Sequence, residues 1–135
     1  LILPKDLVIA QQVKKGSPFK VVNSSTGIPD CYEGVDIGPK TIKLFTDELK
    51  RAKTILWNGP VGVFEIKAFA KGTESLARAI SEMPSIKIVG GGDSIAAIQA
   101  ANLGDKFTHL STGGGASLEY IEFGSLPGIE ALTNA

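Results

Sequence analysis

Two glycine triplets stand where this chain could hold negative charge. Gly90-Gly91-Gly92 follows the apolar run Ile86–Val89 and leads into Asp93 and Ser94. Gly113-Gly114-Gly115 follows Phe107–Leu110 and leads toward Ser117. Glycine lets a chain turn sharply and leaves no Cβ in the way of a ligand. A helix that begins just after such a turn offers free N–H groups and the positive end of its dipole. Strand, glycine turn and helix start together predict a phosphate site that needs no lysine. Asp93, in the first turn, could cap the helix or, as a carboxylate beside phosphates, contact Mg²⁺. The local sequence leaves both open. Neither triplet fits G-x-G-x-x-G, and no G-K-[ST] follows, so the dinucleotide fingerprint and the Walker loop are both absent.

Trp57-Asn58-Gly59-Pro60-Val61-Gly62-Val63-Phe64-Glu65 is a third constellation. One reading is a strand ending in a turn, with Val63 and Phe64 in the core. The other gives Asn58 a phosphate hydrogen bond, Val63 an apolar base pocket and Glu65 the ribose hydroxyls. Residue types alone do not choose between them. His109 lies in an apolar strand and is expected to be a satisfied core histidine. Cys31, with no basic neighbour, reads as an inert loop thiol. Lys40, Lys43, Lys50, Arg51 and Lys53 are expected on an exposed helix face.

The elements that must position these residues alternate. Leu7–Ala10, Phe19–Val22, Lys53–Trp57, Ile86–Val89 and Phe107–Leu110 are short apolar strand candidates. Asn23–Gly38, rich in Gly, Pro, Ser and Asp, reads as loop. Pro39–Ala52 carries Ile42, Phe45 and Leu49 at helical spacing after a proline suited to a first turn. Ala68–Met83 and Asp93–Asn102 are also expected to be helical. Ser117–Glu122 should form a short helix capped by Ser117, and 126–135 a last loop or turn of helix. Short, almost wholly apolar strands between helices predict an α/β fold, a Rossmann-like parallel sheet flanked by helices. Ligands of such sheets sit beyond the carboxyl ends of the strands. The loops 58–60, 90–93 and 112–117 should then gather on one edge.

Bulk properties exclude several classes. Basic and acidic side chains number 14 each, so no bulk positive field recruits nucleic acid. Any anion site must be local. No apolar run approaches the roughly 18 residues of a membrane span. The single Cys31 fits a reducing, cytoplasmic setting. The first residue is Leu rather than Met, and the expectation is a piece of a longer protein.

Taken in order, WNGPVGVFE, VGGGDSIAAI and STGGGASLEY resemble phosphoglycerate kinase, as do GIPDCYEGVDIGPKTI before them and LPGIEAL after them. The resemblance covers nearly the whole chain and corresponds to the last third or so of the family's length. It implies a two-domain kinase, with residues 1–117 part of the C-terminal, nucleotide-binding domain and 118–135 a segment that packs back toward the N-terminal domain. The implied reaction is reversible phosphoryl transfer between 1,3-bisphosphoglycerate and ADP, giving 3-phosphoglycerate and ATP, with Mg²⁺ accompanying the nucleotide and a monomeric intact enzyme. The resemblance places Gly34, Val35, Pro60 and Val63 beside the adenine and Glu65 on the ribose. It aims Asn58 at the outer phosphates and puts Gly91, Gly92, Asp93 and Ser94 in the phosphate and Mg²⁺ loop. Asp93 becomes the metal contact, and Ser94 stands where the family usually has Thr. Gly91, Gly92, Gly114 and Gly115 would face the transferred group, and Ser111 and Thr112 fall at the family's hinge. The domain that holds 3-phosphoglycerate or 1,3-bisphosphoglycerate, and the earlier half of the nucleotide domain with its lysines, are outside this stretch. The expectation is therefore a piece inactive by itself. The competing reading is a non-catalytic α/β interaction module whose glycine loops are only turns.

Overall fold

A computed structural model describes residues 1–133. Its elements run β1 (Asp6–Ala10), β2 (Phe19–Asn23), β3 (Glu33–Ile37), α1 (Pro39–Leu49), β4 (Thr54–Asn58), α2 (Lys71–Ser81), β5 (Ile86–Gly90), α3 (Gly92–Ala100), β6 (His109–Ser111), α4 (Gly114–Phe123) and α5 (Pro127–Thr133). Short 3₁₀ turns occupy Ser24–Thr26, Lys67–Phe69 and Gly104–Lys106.

The α/β class is as expected, but the single parallel sheet is not. Among the described residues there are two three-stranded sheets, one antiparallel in the order β2-β1-β3 and one parallel in the order β4-β5-β6. No α-helix lies between β1, β2 and β3. β1, β2 and β3 therefore return through loops and pair antiparallel. From β4 onward each strand is followed by a helix, and the β4-α2-β5-α3-β6 crossovers impose parallel pairing.

β3 is the element the sequence reading assigned to loop. Its residues, Glu33-Gly34-Val35-Asp36-Ile37, include two acids and a glycine, which reads as turn chemistry. Yet Val35, Asp36 and Ile37 are all buried. A carboxylate reaches the interior here because backbone N–H groups receive it.

The larger core lies against the helix-covered face of the parallel sheet. Ile55 and Trp57 of β4, Val89 of β5 and Ile37 of β3 pack with Leu76, Ala77 and Ile80 of α2 and Ile95 and Ile98 of α3. Burial alternates along β4, Ile55 and Trp57 inward and Thr54, Leu56 and Asn58 outward, as the period of a strand requires. A smaller cluster of Val8, Ala10, Val35 and Phe69, with Val63 and Ile66 against it, sits under the antiparallel sheet.

Two buried aspartates fix helices to the antiparallel sheet. Asp6 on β1 accepts N–H bonds from Thr41 (2.8 Å) and Lys40 (3.1 Å) and the Thr41 hydroxyl (2.7 Å), capping α1 from outside the helix. A Cβ at Gly38 would collide with that carboxylate. Asp36 on β3 accepts the N–H of Gly72 (2.7 Å) in the first turn of α2.

The C-terminal elements differ from expectation in detail. α4 starts at Gly114, so Ser117 lies inside it. The Ser117 hydroxyl donates back to the Gly113 carbonyl (2.6 Å) rather than capping. A boundary at 117/118 falls within this helix. The expected last turn of helix is α5, and its final expected residues, 134 and 135, lie outside the described residues. His109 is exposed on the edge strand β6 and is not a core histidine.

Candidate functional site

Parallel pairing in register brings the ends of β4, β5 and β6 level. Asn58 stands opposite Gly90, and Gly90 opposite Ser111. The loops 58–60, 90–93 and 112–117 therefore share the C-terminal edge of this sheet, as read from the sequence.

At that edge the glycine turns interlock. The Gly91 N–H donates to the Ser111 carbonyl (2.9 Å), tying the β5 turn to β6. The Gly114 N–H donates to the Thr112 carbonyl (3.1 Å). Asn58 Oδ1 fills the space between the turns. A Cβ on Gly90, Gly91 or Gly114 would lie 3.1, 3.3 or 2.6 Å from it, and one on Gly114 would also come within 2.9 Å of Gly91 Cα. Gly91 has φ +95, a backbone that side chains rarely adopt. Packing demands glycine at Gly114 and the backbone demands it at Gly91, while a Cβ at Gly90 would be tight against Asn58; the amides of Gly91 and Gly114 are already engaged.

Gly92 and Gly115 differ. A Cβ at either would meet nothing within 4 Å. Both are exposed, and both sit in the first turn of their helices. No side chain caps α3 or α4. The first bond back to the α3 turn is Ile95 N–H to the Gly91 carbonyl (3.1 Å), and that of α4 is Ser117 N–H to the Gly113 carbonyl (2.9 Å). The contrast with α1 and α2 is chemical. Those two helix starts receive an aspartate from a neighbouring strand, whereas the two starts at the shared edge receive no side chain.

Asp93 is exposed in the first turn of α3 and makes no capping bond, so of its two readings the cap is not realised. Ser94 is fully buried, and its Oγ accepts the Gly59 N–H at 2.7 Å. That hydroxyl locks the loop after β4 onto α3. Among the described residues no group of three His, Cys, Asp or Glu side chains converges on a metal position.

The loop 58–65 runs from this edge to the antiparallel sheet. Gly59 is held by Ser94 and, through its carbonyl, by the Trp57 indole N–H (2.6 Å). The Val61 N–H donates to Thr73 Oγ1 on α2 (3.2 Å), and the Val63 N–H to the Val35 carbonyl (2.9 Å). Val63 thus lies beside Val35, whose chain neighbour is Gly34, with Pro60 and Glu65 on the same loop. Asn58, Gly91 and Gly114 form one group; Gly34, Val35 and Val63 form another; the loop joins them. Val35 is buried, while Gly34 and Glu65 are exposed. Thr73, which fastens this loop, and Asp36, whose carboxylate lies against Gly62, were not singled out from the sequence. Asp36 was hidden by its place in an apparent loop.

The fold and this edge define an α/β domain that gathers glycine-bared helix starts at the end of a parallel sheet. Residues 1–123 match the family model described as Phosphoglycerate kinase. The chain belongs to the phosphoglycerate kinase family. It is 54% identical to the phosphoglycerate kinase of Dictyoglomus turgidum over 97% of its length, and 50% identical to that of Rubrobacter xylanophilus over 98%. The chain spans 33% of each of those relatives. Its structure superposes on phosphoglycerate kinase from Coxiella burnetii with a TM-score of 0.86 at 40% identity, covering 96% of this chain and 33% of that one. The corresponding figures for Pyrococcus horikoshii are 0.78 and 34%, covering 96% and 32%. No helix of the described residues is long and apolar enough to cross a membrane.

Proposed function

We propose that this chain is the part of a phosphoglycerate kinase's C-terminal domain that receives MgADP or MgATP. In the whole enzyme it would help transfer a phosphoryl group between 1,3-bisphosphoglycerate and ADP, giving 3-phosphoglycerate and ATP. The observation that carries the reading is the pair of uncapped helix starts at Gly92 and Gly115, held side by side by interlocked turns.

Phosphoryl groups in transfer spread negative charge over their oxygens, and catalysis is largely positioning and electrostatics. Preorganised N–H dipoles stabilise such charge without reorganising. Gly92 and Gly115 let the phosphates approach the helix starts, and Gly91 and Gly114 fix the two turns against each other. Asn58 spans both turns and would bond to the outer phosphates through whichever amide atom the turns leave free. The exposed Asp93 carboxylate fits a cation shared with phosphate oxygens and would hold Mg²⁺, which neutralises phosphate charge when bound. Gly34, Val35, Pro60 and Val63 would flank the adenine, and Glu65 would meet the ribose. Ser94 would join the phosphate loop, its Oγ accepting the Gly59 N–H while its own proton stays available to a phosphate oxygen. Residues 118–133 would pack toward the other domain, in keeping with exposed Leu118, Ile121, Phe123 and Leu132. The 3-phosphoglycerate side of the reaction would be supplied by the rest of the enzyme, and this chain alone would not turn over.

Amide spectra of the 135-residue chain, titrated with millimolar MgADP, test the reading. Shifts are expected at Gly92, Asp93 and Gly115, with a magnesium-dependent component that Asp93→Ala removes. Unmoved resonances at all three positions would leave the loops as mere turns of a non-catalytic module. Turnover of 1,3-bisphosphoglycerate by this chain at the rate of an intact kinase would overturn its assignment as an incomplete site.

A further inference from the structure

Asp36 is buried, yet no cation faces it among the described residues. Its carboxylate is inserted between two backbone segments. Oδ2 accepts the Gly72 N–H at 2.7 Å, and Oδ1 accepts the N–H of its own neighbour Ile37 at 2.8 Å. A Cβ on Gly72 would collide with the carboxylate, and one on Gly62 would lie 2.7 Å from Asp36 Cγ and 2.7 Å from the Phe69 carbonyl. Gly62 belongs to the 58–65 loop, and Gly72 to the start of α2. The residue after Gly72 is the buried Thr73, whose Oγ1 holds the Val61 N–H. The residue before Asp36 is Val35, whose carbonyl holds the Val63 N–H. One side chain therefore sets the height of α2, the seat of Gly62 and, through Thr73 and Val35, both ends of the segment 61–63. Burial pushes this carboxyl up to about 6, only partly countered by the Gly72 and Ile37 N–H groups. A group that costs stability at neutral pH and lies under the loop calls for a function in the loop.

We propose that Asp36 is a positioning residue for the base end of the nucleotide site, holding Pro60 and Val63 opposite Gly34 and Val35. The inference rests on the nucleotide reading above. It predicts a selective defect: contacts to the base suffer, and contacts to phosphate at Gly92 and Gly115 do not.

The test compares two probes on the 135-residue chain, MgADP and magnesium pyrophosphate, the second lacking base and ribose. Binding is measured by titration of amide and methyl resonances at a pH well above that at which Asp36 titrates. Asp36→Asn is expected to weaken MgADP about tenfold, leave pyrophosphate unchanged and shift the Val35 and Val63 methyls before ligand is added. A tenfold change corresponds to about 1.4 kcal/mol, the scale of one hydrogen bond. Gly62→Ala, which keeps Asp36 and lifts the loop off it, should give the same selective loss, and it decides the matter if Asp36→Asn does not fold. Equal weakening of both probes, or unchanged MgADP affinity, overturns the proposal while leaving the nucleotide site standing. Failure of the unsubstituted chain to bind either probe overturns the nucleotide reading and this inference with it.

Discussion

At the scale of single residues, the six glycines of the two triplets do different work. Gly114 and Gly91 are locked by Asn58 Oδ1 and by each other, while Gly92 and Gly115 face open space. Alanine substitution should separate the classes. Gly114→Ala puts a methyl 2.6 Å from Asn58 Oδ1 and should destabilise by about 1–3 kcal/mol, the usual cost of overpacking. Gly92→Ala and Gly115→Ala meet no neighbour, and they replace glycine in a helix, so thermal unfolding should stay put or rise by the equivalent of about 0.5–1 kcal/mol. Both should nevertheless weaken MgADP, because the methyl occupies the phosphate's approach. Thermal melts and a nucleotide titration on the three variants check this. A Gly92→Ala chain that binds as tightly as the parent would remove Gly92 from the site. The triplets and their helix starts were legible in the sequence because glycine after an apolar run leaves a local trace. The division of labour within each triplet was not, since it depends on Asn58, 32 or more residues earlier in the chain. Ser94 shows the same limit: only the fold reveals that its Oγ accepts the Gly59 N–H.

At the scale of elements, the starts of α1 and α2 meet buried carboxylates, while those of α3 and α4 are open. The two carboxylates respond to pH in opposite directions. For Asp6, burial raises the carboxyl, but hydrogen bonds from Thr41 and Lys40 outweigh it and hold the group below the ordinary value. A depressed carboxyl contributes stability above its unfolded value, and that contribution is lost as pH falls through the folded one. Asp36, raised to about 6, does the reverse. Its folded form takes up a proton where the unfolded chain does not, so its contribution is full below the unfolded value near 3.8 and is lost as pH rises through about 6. Urea unfolding at a series of pH values should therefore show Asp36→Asn gaining on the parent by on the order of 2–3 kcal/mol as pH rises across this window. A constant difference would mean that Asp36 does not titrate there. Asp6→Ala should cost about 1–3 kcal/mol at neutral pH, because the buried N–H of Thr41 loses its acceptor, while the Thr41 hydroxyl keeps the Asp6 carbonyl (2.9 Å). The helices were readable from periodicity and Pro39. β3 was not, because a buried Asp looks like a turn residue until Gly72 supplies its partner.

For the molecule as a whole, the mixed architecture follows from where the chain places its helices. No α-helix separates β1, β2 and β3, so they pair antiparallel, and the sequence reading of one parallel sheet failed there because apolar runs carry no sign of direction. The half of the reading that succeeded, β4 through β6, had helices of visible period between its strands. Apolar surface is left without cover in two places. Leu56 and Ile86 are exposed at 38% and 53% on the face of the parallel sheet turned away from α2, and β4 and β6 are the edge strands of that sheet among the described residues. On α4 and α5, Ile121, Phe123 and Leu132 are exposed at 66%, 66% and 80%. With a net charge of zero, long-range repulsion does not keep copies apart. Apolar surface of this extent and open strand edges favour association. The chain is therefore expected to self-associate across micromolar to millimolar concentration, the range in which exposed apolar surface drives assembly. Sedimentation velocity would register a rising average mass. Leu56→Lys and Ile121→Lys place charge on the two surfaces separately and should each lower that mass without moving the amide resonances of Gly92 and Gly115. If only Leu56→Lys acts, the sheet face is the contact; if only Ile121→Lys acts, it is the C-terminal helices. A chain that stays monomeric throughout would show that α4 and α5, or the charged rim of the sheet, shield these side chains in solution better than their exposure implies.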